Sequence, residues 1–511
     1  MKAVQILLSI ISFLMLGNIG LFYYASMSQY FLFCATATVL YAIGLLHIYK
    51  TAAFHSISPI ELLFFAWFTH IVIHALTTNN EEYKLYYLIS CYLLFQGLTW
   101  LWKSKHLSFK DIKLLFIGLS VYESIICILQ WTGIMESKIR LFKVSGTWES
   151  PNVTAMFIAL CFPLLLERIL SVHNKYKIGF VLLSVLELTA LLAINCRTAY
   201  IGTAFSIFIQ CALHFEWFKK IRHTPLKSLI SLSLPVSLAI ILGSYGLYKM
   251  KQPSADGRLF IWKTSLSMIA EYPLKGYGYG MFEKEYYSFQ NDYFIQNEGT
   301  ETERRNARHI FVCYNDFLEQ AIEGGVISSI LYFGILITAL CKSIRQREYT
   351  SMLFIGNTIW ISTVNFCIHA TPLMFISIIF LAHTASNTKQ NLLTSKMFIY
   401  IITAVGITVS LPCISSLICK YRVQRAVKQA TDIRKQNFPK ALNILKGQEK
   451  NARTSECFWR IYGKFLLQAK EYEQAEHALN KALEYTSNPT VYNDLIRCRQ
   501  IQDFNHKTQT E

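Results

Sequence analysis

Long apolar segments recur along most of the chain, and short polar connections separate them. Thirteen segments have about 20 mostly apolar residues, which is the length that an α-helix needs to cross a bilayer core. The predicted spans are residues 4–25, 30–48, 60–77, 84–102, 113–134, 152–168, 178–195, 198–216, 228–248, 313–341, 352–368, 371–386 and 397–419. The pattern predicts an all-α polytopic membrane protein with about 13 transmembrane helices.

Two longer polar stretches interrupt this pattern. One is a loop over residues 250–312, and the other is a tail over residues 420–511, which leaves residues 1–419 as the transmembrane domain. The first apolar segment follows a single Lys2, and no clean small-residue cleavage site comes after it. We therefore interpret it as a spanning helix and not as a removed signal peptide.

Basic residues are distributed unevenly over the connections. With the N-terminus inside, the connections predicted to be cytoplasmic hold most of the Lys and Arg residues, and the short outer connections hold few. This asymmetry is the positive-inside rule, and it places the loop and the tail outside. The basic start of the tail, residues 420–428, runs against this placement, but long soluble domains translocate largely regardless of charge. The net charge of +17 therefore reports topology, and nucleic acid is not a predicted partner.

Composition excludes two other classes of protein. Only 16% of the residues are charged and 53% are hydrophobic, whereas ordinary soluble domains have about 25% charged residues. A chain made of ordinary soluble domains is therefore excluded. The 13 cysteines are an odd number, and most lie inside apolar runs, so a disulfide-framework domain is excluded.

The tail has a period of 34 residues. Phe438 and Tyr472 begin similar segments at that spacing. Seven residues of the tail have the spacing of a tetratricopeptide repeat: Trp459, Tyr462, Gly463, Leu466, Ala475, Leu479 and Ala482. We predict a helical repeat domain that binds a protein partner; an unrelated amphipathic helical hairpin is the alternative.

Arginines and aromatic residues are concentrated on the predicted outer side. Arg197 follows a span, Arg258 opens the large loop, and Arg308 and His309 close it. Guanidinium groups bind phosphate oxygens bidentately, and aromatic rings stack on sugars, so this mixture suits a lipid-linked glycan with its pyrophosphate. An interfacial aromatic belt with snorkelling arginines is the alternative. The site is favoured because Arg197 and Arg258 lie where positive charge is disfavoured.

Four stretches resemble the O-antigen ligase superfamily, in the order that the family has them. They are Gly-Thr-Trp-Glu-Ser-Pro-Asn at 146–152, Cys-Arg-Thr-Ala at 196–199, Gly-Arg-Leu-Phe-Ile-Trp at 257–262 with Pro273 to Gly278, and Tyr-Asn-Asp-Phe-Leu with Glu-Gly at 314–324. The resemblance implies a multi-spanning glycosyltransferase of the bacterial inner membrane, with a periplasmic loop and a periplasmic tail, that needs no metal or other cofactor. Members move a glycan from a polyprenyl-pyrophosphate carrier to a hydroxyl of lipid A core, another glycan or a protein.

The resemblance also implies roles for individual residues. Arg197 and Arg258 correspond to the arginines thought to hold the donor pyrophosphate, and Glu323 matches the glutamate of the last motif. Tyr314 stands where the family has a histidine, and we expect it to orient the acceptor hydroxyl. We expect His309, Glu319 or Glu323 to compensate for the missing histidine as the base. The remaining residues that we assign to the substrate loop are Trp262, Tyr277, Tyr279, Arg308 and Asn315.

Polar residues inside predicted spans support a rival class. Glu123 and Glu187 lie near the middle of their helices, and His70 and His74 lie in the third span. Such residues are costly in lipid and usually face a partner or a cavity. They keep a glycolipid flippase or a proton-coupled transporter as the alternative function.

Overall fold

The computed structural model describes residues 2–16, 22, 25–51, 57–139, 141–172, 174–217, 246, 248–249, 251–296, 299–307, 309–387, 396–452 and 455–510. Within these ranges the regular elements are helices, and no strand is present. The α-helices are α1 Lys2–Leu16, α2 Ala25–Thr51, α3 Pro59–Ala75, α4 Glu82–Lys103, α5 Phe109–Thr132, α6 Pro151–Ser171, α7 Asn174–Ile194, α8 Arg197–His214, α9 Gln252–Glu271, α10 Phe282–Ile295, α11 Glu301–Asn306, α12 Asp316–Gln346, α13 Tyr349–Val364, α14 Thr371–Ser386, α15 Lys396–Ile433, α16 Phe438–Lys446, α17 Glu456–Gln468, α18 Tyr472–Leu483 and α19 Pro489–Thr510.

The all-helical class that the sequence predicts is confirmed. Helices occupy all but one of the predicted spans, and the ninth, residues 228–248, falls almost wholly outside the described residues. Six described helices are long and apolar enough to cross a membrane. They are Ser26–Ile48, Phe109–Thr132, Pro151–Ser171, Tyr176–Ile194, Asp316–Gln346 and Tyr400–Ile433. The total of about 13 spans stays a prediction.

The core of the membrane part is built around α4, which is buried along most of its length between α2 and α14. Gly97 allows α2 to approach this helix closely, because an added Cβ would lie 2.7 Å from the carbonyl oxygen of Leu40. Phe64 and Phe95 stack across the α3–α4 contact, with ring centroids 4.2 Å apart. Close packing of this kind holds the ends of the helices, where the connections lie, in fixed positions.

The connections collect at two opposite ends of the helices, as the charge pattern predicts. At one end, Lys103 pairs with Glu61 and Lys113 pairs with Glu167, each at 2.7 Å. These lysines belong to a connection predicted to be cytoplasmic. The connections predicted to be outer, together with the large loop, meet at the other end, where they line two cavities.

The tail folds into paired helices that sit on the same end as the large loop. Helix α15 continues through the boundary at residue 419, so the last span and the first helix of the tail are one element. Helices α16 and α18 begin 34 residues apart, at Phe438 and Tyr472. Gly463 of α17 lies against α18, since a Cβ there would be 2.8 Å from Cδ2 of Leu479. A helical hairpin is therefore present, and its assignment as a tetratricopeptide repeat stays a prediction.

Candidate functional site

A cavity of about 630 Å³ brings together residues from all four resembling stretches. We call it the arginine cavity. Its lining includes Arg197, Arg258, Trp262 and Tyr314, together with residues 149–152. These residues are up to 165 positions apart in sequence, from Glu149 to Tyr314, and the fold collects them at one place.

Three helices begin at this cavity. Ser150 precedes α6, Cys196 precedes α8 and Lys251 precedes α9, and in each case no side chain caps the first turn. The first backbone N–H groups of a helix have no partner inside the helix, and the helix dipole makes that end positive. Uncapped helix N-termini are consequently binding sites for anions, phosphate above all.

The side chains of the cavity add to this positive potential. Arg197, Lys251 and Arg258 line it, and Glu149 is the acidic residue among its described lining residues. Arg258 is largely buried, and burial lowers its pKa, although a guanidinium stays charged at neutral pH. Arg258 also donates a hydrogen bond to the carbonyl oxygen of Val364. The arrangement is a fixed, positively charged site that suits a pyrophosphate.

Tyr314 packs between Arg258 and Phe366 in the lining of the cavity. The guanidinium carbon of Arg258 is 4.9 Å from the centre of the Tyr314 ring, and Phe366 packs edge-on against that ring at 5.7 Å. The backbone of Tyr314 is left-handed, with φ of 55°, which is uncommon for a residue other than glycine. Trp262 fixes the preceding residue by donating from Nε1 to the carbonyl oxygen of Cys313 at 3.1 Å. Strained backbone held in this way is concentrated at functional sites.

The next motif stretch forms a turn that docks into a break in α12. Gly325 has φ of 75° and ψ of 168°, so the helical hydrogen bonding stops there. The amides of Tyr277 and Gly278 donate to the carbonyl oxygens of Ile322 and Glu323, at 2.8 and 2.9 Å, and the amide of Val326 donates to Pro273. The turn thus satisfies backbone groups that the break leaves open.

Tyr277 and Tyr279 belong to this structural turn. Tyr279 is fully buried, and its hydroxyl is 2.9 Å from Oγ of Ser328. The ring of Tyr277 packs against those of Tyr272 and Phe289. Neither is among the described residues that line the two cavities. Their contacts hold the turn in place, whereas Trp262 and Tyr314 face the arginine cavity.

The polar residues inside predicted spans have structural partners near the site. Nε2 of His70 is 2.8 Å from the carbonyl oxygen of Gly324, and His74 contacts the carbonyl oxygen of Lys275. Glu123 accepts a hydrogen bond of 3.0 Å from the amide of Thr147, in the first resembling stretch. Glu187 accepts one of 2.5 Å from Ser120. His74 and Glu123 therefore hold loops that build the site, and His70 contacts α12 beside its break at Gly325.

A second cavity, of about 610 Å³, lies beside the first. We call it the glutamate cavity. Lys84 stands at its floor, with Nζ 2.9 Å from Glu319 and 3.9 Å from Glu323. His369 contacts both Lys84 and Glu319 through Nε2. The two cavities share a wall, because Tyr314 and Phe366 line the first while Phe311 and His369 line the second.

The structure separates residues that the sequence assigns to one site. Glu323 lines the glutamate cavity, and Nε2 of His309 lies 3.0 Å from Glu283 on the rim of the same cavity. Burial raises the pKa of Glu283 to about 7 and lowers that of His309.

Asn315 caps α12 by accepting hydrogen bonds from the amides of residues 317 and 318, at 3.0 and 3.1 Å. Arg308 lies outside the described residues.

Lys84 and His369 are site residues that sequence reasoning missed. A signal was available for each. Lys84 is a basic residue at the outer end of a span, where the positive-inside rule disfavours it. His369 is one of two residues that separate two apolar segments. The pairing of both with Glu319 depends on contacts between helices distant in sequence, and no local pattern predicts it.

Comparison with known proteins agrees with the motifs. Residues 180–333 match the family model described as O-antigen ligase. The matched segment contains Arg197, Arg258 and Tyr314, and thus most of the arginine cavity. No match to a curated protein is found. The family match confirms the resemblance inferred from the motifs, over residues 180–333 of the chain.

Proposed function

We propose that the protein transfers a preassembled glycan from a polyprenyl-pyrophosphate carrier to an acceptor hydroxyl, of lipid A core or a similar acceptor. The observation that carries this proposal is the arginine cavity. Three basic side chains and three uncapped helix N-termini meet there, at the end of the molecule where the predicted outer connections lie. Such a site is complementary to the two phosphates of the carrier.

The chemistry follows from the charge of the site. The acceptor oxygen forms a bond to the anomeric carbon as the bond from that carbon to the pyrophosphate oxygen breaks. The electron pair leaves with polyprenyl pyrophosphate, whose growing negative charge is stabilised by Arg197, Arg258 and the helix N-termini. Tyr314 orients the acceptor hydroxyl in the arginine cavity, and the hydroxyl proton passes to solvent there, because Glu323 lies in the glutamate cavity. In this mechanism protein groups supply the charge stabilisation that a metal ion would otherwise provide.

We place the reaction at the periplasmic face of the bacterial inner membrane. The positive-inside pattern and the collection of the outer connections at one end support this location. Within the same family, transfer to protein serine or threonine and polymerisation of a polysaccharide are the alternatives. The flippase or transporter alternative loses support, because His70, His74 and Glu123 have structural partners in α12 and in the loops.

A deletion strain tests the proposed function. We expect mass analysis of its surface glycolipids and glycoproteins to show one class of acceptor without its glycan, together with accumulation of the carrier-linked glycan on the outer leaflet. Re-expression of the chain should restore both. Accumulation on the inner leaflet would instead indicate a flippase, and unchanged surface glycans would contradict the proposal.

Tyr314 provides a prediction about the reaction itself. Tyr314→Phe removes the hydroxyl and keeps the ring under Arg258, so we expect transfer to fall about 10–100-fold. Tyr314→Ala also removes the ring that packs against Arg258 and should lower transfer further. The rate is measured with purified protein at saturating donor. Tyr492→Phe, which changes an exposed tyrosine of α19, is the matched control. Wild-type rates for Tyr314→Ala would show that this residue has no part in transfer.

A further inference from the structure

One side of α15 is exposed along the membrane part of the helix. Four large side chains follow this side at intervals of seven, four and seven residues, and they are Tyr400, Ile407, Leu411 and Ile418. Residues at such intervals lie on one face of an α-helix. The opposite face, which includes Ile402 and Cys413, belongs to the buried core. The exposed side is therefore the one that meets the acyl chains of the bilayer.

The same side continues beyond the membrane part and carries two arginines. Arg422 and Arg425 follow Ile418 by four and seven residues, and both are exposed. Neither forms an ion pair with an acidic group in the part of the chain that the structure describes. Lys420 lies on the opposite side of the helix, where it is buried and its Nζ is 2.9 Å from Glu82. The charge of Lys420 is thus paired inside the protein, whereas the charges of the two arginines face outward.

Two tyrosines of α15 mark where the hydrocarbon core of the bilayer ends. Tyr400 and Tyr421 are 21 residues apart, which at about 1.5 Å per residue equals the thickness of that core, about 30 Å. Tyr421 packs edge-on against Phe22, with ring centroids 5.3 Å apart, and stays partly exposed. Tyrosine is enriched at both membrane–water interfaces. Arg422 and Arg425 come directly after Tyr421 and therefore lie at the level of the lipid headgroups.

The direction of the helix aims both arginine side chains at the membrane. In an α-helix each Cα–Cβ bond is tilted toward the N-terminus, and the N-terminal part of α15 is the apolar part that is predicted to cross the membrane. Arg422 and Arg425 consequently lean back toward the bilayer. Guanidinium groups bind phosphate oxygens bidentately. This side of α15 is therefore complementary to phosphate groups at the membrane surface.

We propose that Arg422 and Arg425 form a binding surface for the phosphate groups of anionic phospholipids. These lipids belong to the leaflet on which the tail lies. Binding fastens the first helix of the tail to the membrane surface and sets the height of the helical module above it. The proposal goes beyond glycan transfer and does not depend on it. It also explains the basic start of the tail, since Lys420 is paired with the protein and both arginines are paired with lipid.

Photo-crosslinking of the full chain in proteoliposomes tests this proposal. The bilayer is made of phosphatidylethanolamine with a minority of phosphatidylglycerol, and p-benzoylphenylalanine replaces Ile418, which lies about one turn below Arg422. Mass spectrometry identifies the headgroup of each captured lipid. We expect phosphatidylglycerol to be enriched over its share of the bilayer by about fivefold or more, the scale of one basic residue's attraction to an anionic membrane surface. Phosphatidylethanolamine is disfavoured because its ammonium group repels a guanidinium.

Two double variants show what causes the enrichment. Arg422→Gln with Arg425→Gln should return the captured lipids to the composition of the bilayer. Lys435→Gln with Lys440→Gln, which removes two exposed lysines beyond the end of α15, should leave the enrichment unchanged. Capture in the bulk ratio when both arginines are present, equal enrichment without them, or equal loss in both double variants would overturn the lipid-binding surface. Capture of a second copy of the chain would overturn it as well, by showing that protein covers this side of α15.

Discussion

Arg258→Ala is expected to lower glycan transfer by about 10²–10³-fold, and Arg197→Ala by a similar factor. In the proposed mechanism each guanidinium binds the leaving pyrophosphate, and removal of one preorganised charge-stabilising donor costs roughly 3–4 kcal/mol of transition-state stabilisation. Arg258→Lys should recover only part of the rate, since a point charge cannot reproduce the bidentate fork. Initial rates with purified, correctly inserted protein measure the effect.

Arg305→Ala is the matched control. Arg305 lies in the same loop but is exposed, with Glu301 as its partner, so its loss should leave the rate unchanged. A transporter would show the reverse pattern, with tolerant arginines and loss of function in Glu123→Gln or Glu187→Gln. That pattern would contradict the transferase account.

Gly325→Ala is expected to destabilise the protein by about 3 kcal/mol or more. The backbone there has φ of 75°, and an added Cβ would lie 2.1 Å from the carbonyl oxygen of Leu274. A residue other than glycine in such a conformation costs about 1–3 kcal/mol, and overpacking adds a similar amount. We expect the midpoint of thermal unfolding in detergent to fall by about 5 °C or more. Transfer should fall as well, because the turn at residues 273–280 would lose its docking site.

Gly356→Ala is the control for this substitution. Gly356 lies inside α13 and has nothing within 4 Å of an added Cβ. Alanine stabilises a helix relative to glycine by up to about 1 kcal/mol. The midpoint of thermal unfolding should therefore stay unchanged or rise. An equal fall in both variants would show that the break in α12 has no special role.

The sequence predicts the helices well because spanning segments are defined by a local property, the length of an apolar run. The placement of Arg197 and Arg258 in one cavity also follows from the sequence. Both are positive charges on the predicted outer side, where the positive-inside rule disfavours them, and both belong to the resembling motifs. Tyr314 joins them as expected. The separation of His309 and Glu323 into a second cavity does not follow, because it depends on the break at Gly325 and on how the loop folds.

Two further features depend on tertiary structure alone. The uncapped starts of α6, α8 and α9 are visible as helix boundaries in sequence, but their convergence on one cavity is a result of packing. The position of the C-terminal helices beside the glutamate cavity depends on contacts such as that between Thr486 and Glu283, 203 residues apart. A periodic tail predicts a helical module without predicting where it docks.

The most direct test of the central claim is single-turnover transfer by the purified protein in proteoliposomes. The liposomes contain a polyprenyl-pyrophosphate-linked oligosaccharide, and lipid A core is supplied as the acceptor. The account predicts release of one polyprenyl pyrophosphate for each glycan transferred, and it predicts loss of both products in Arg258→Ala. Transfer at the wild-type rate by Arg258→Ala, or glycan translocation without any release of polyprenyl pyrophosphate, would contradict it.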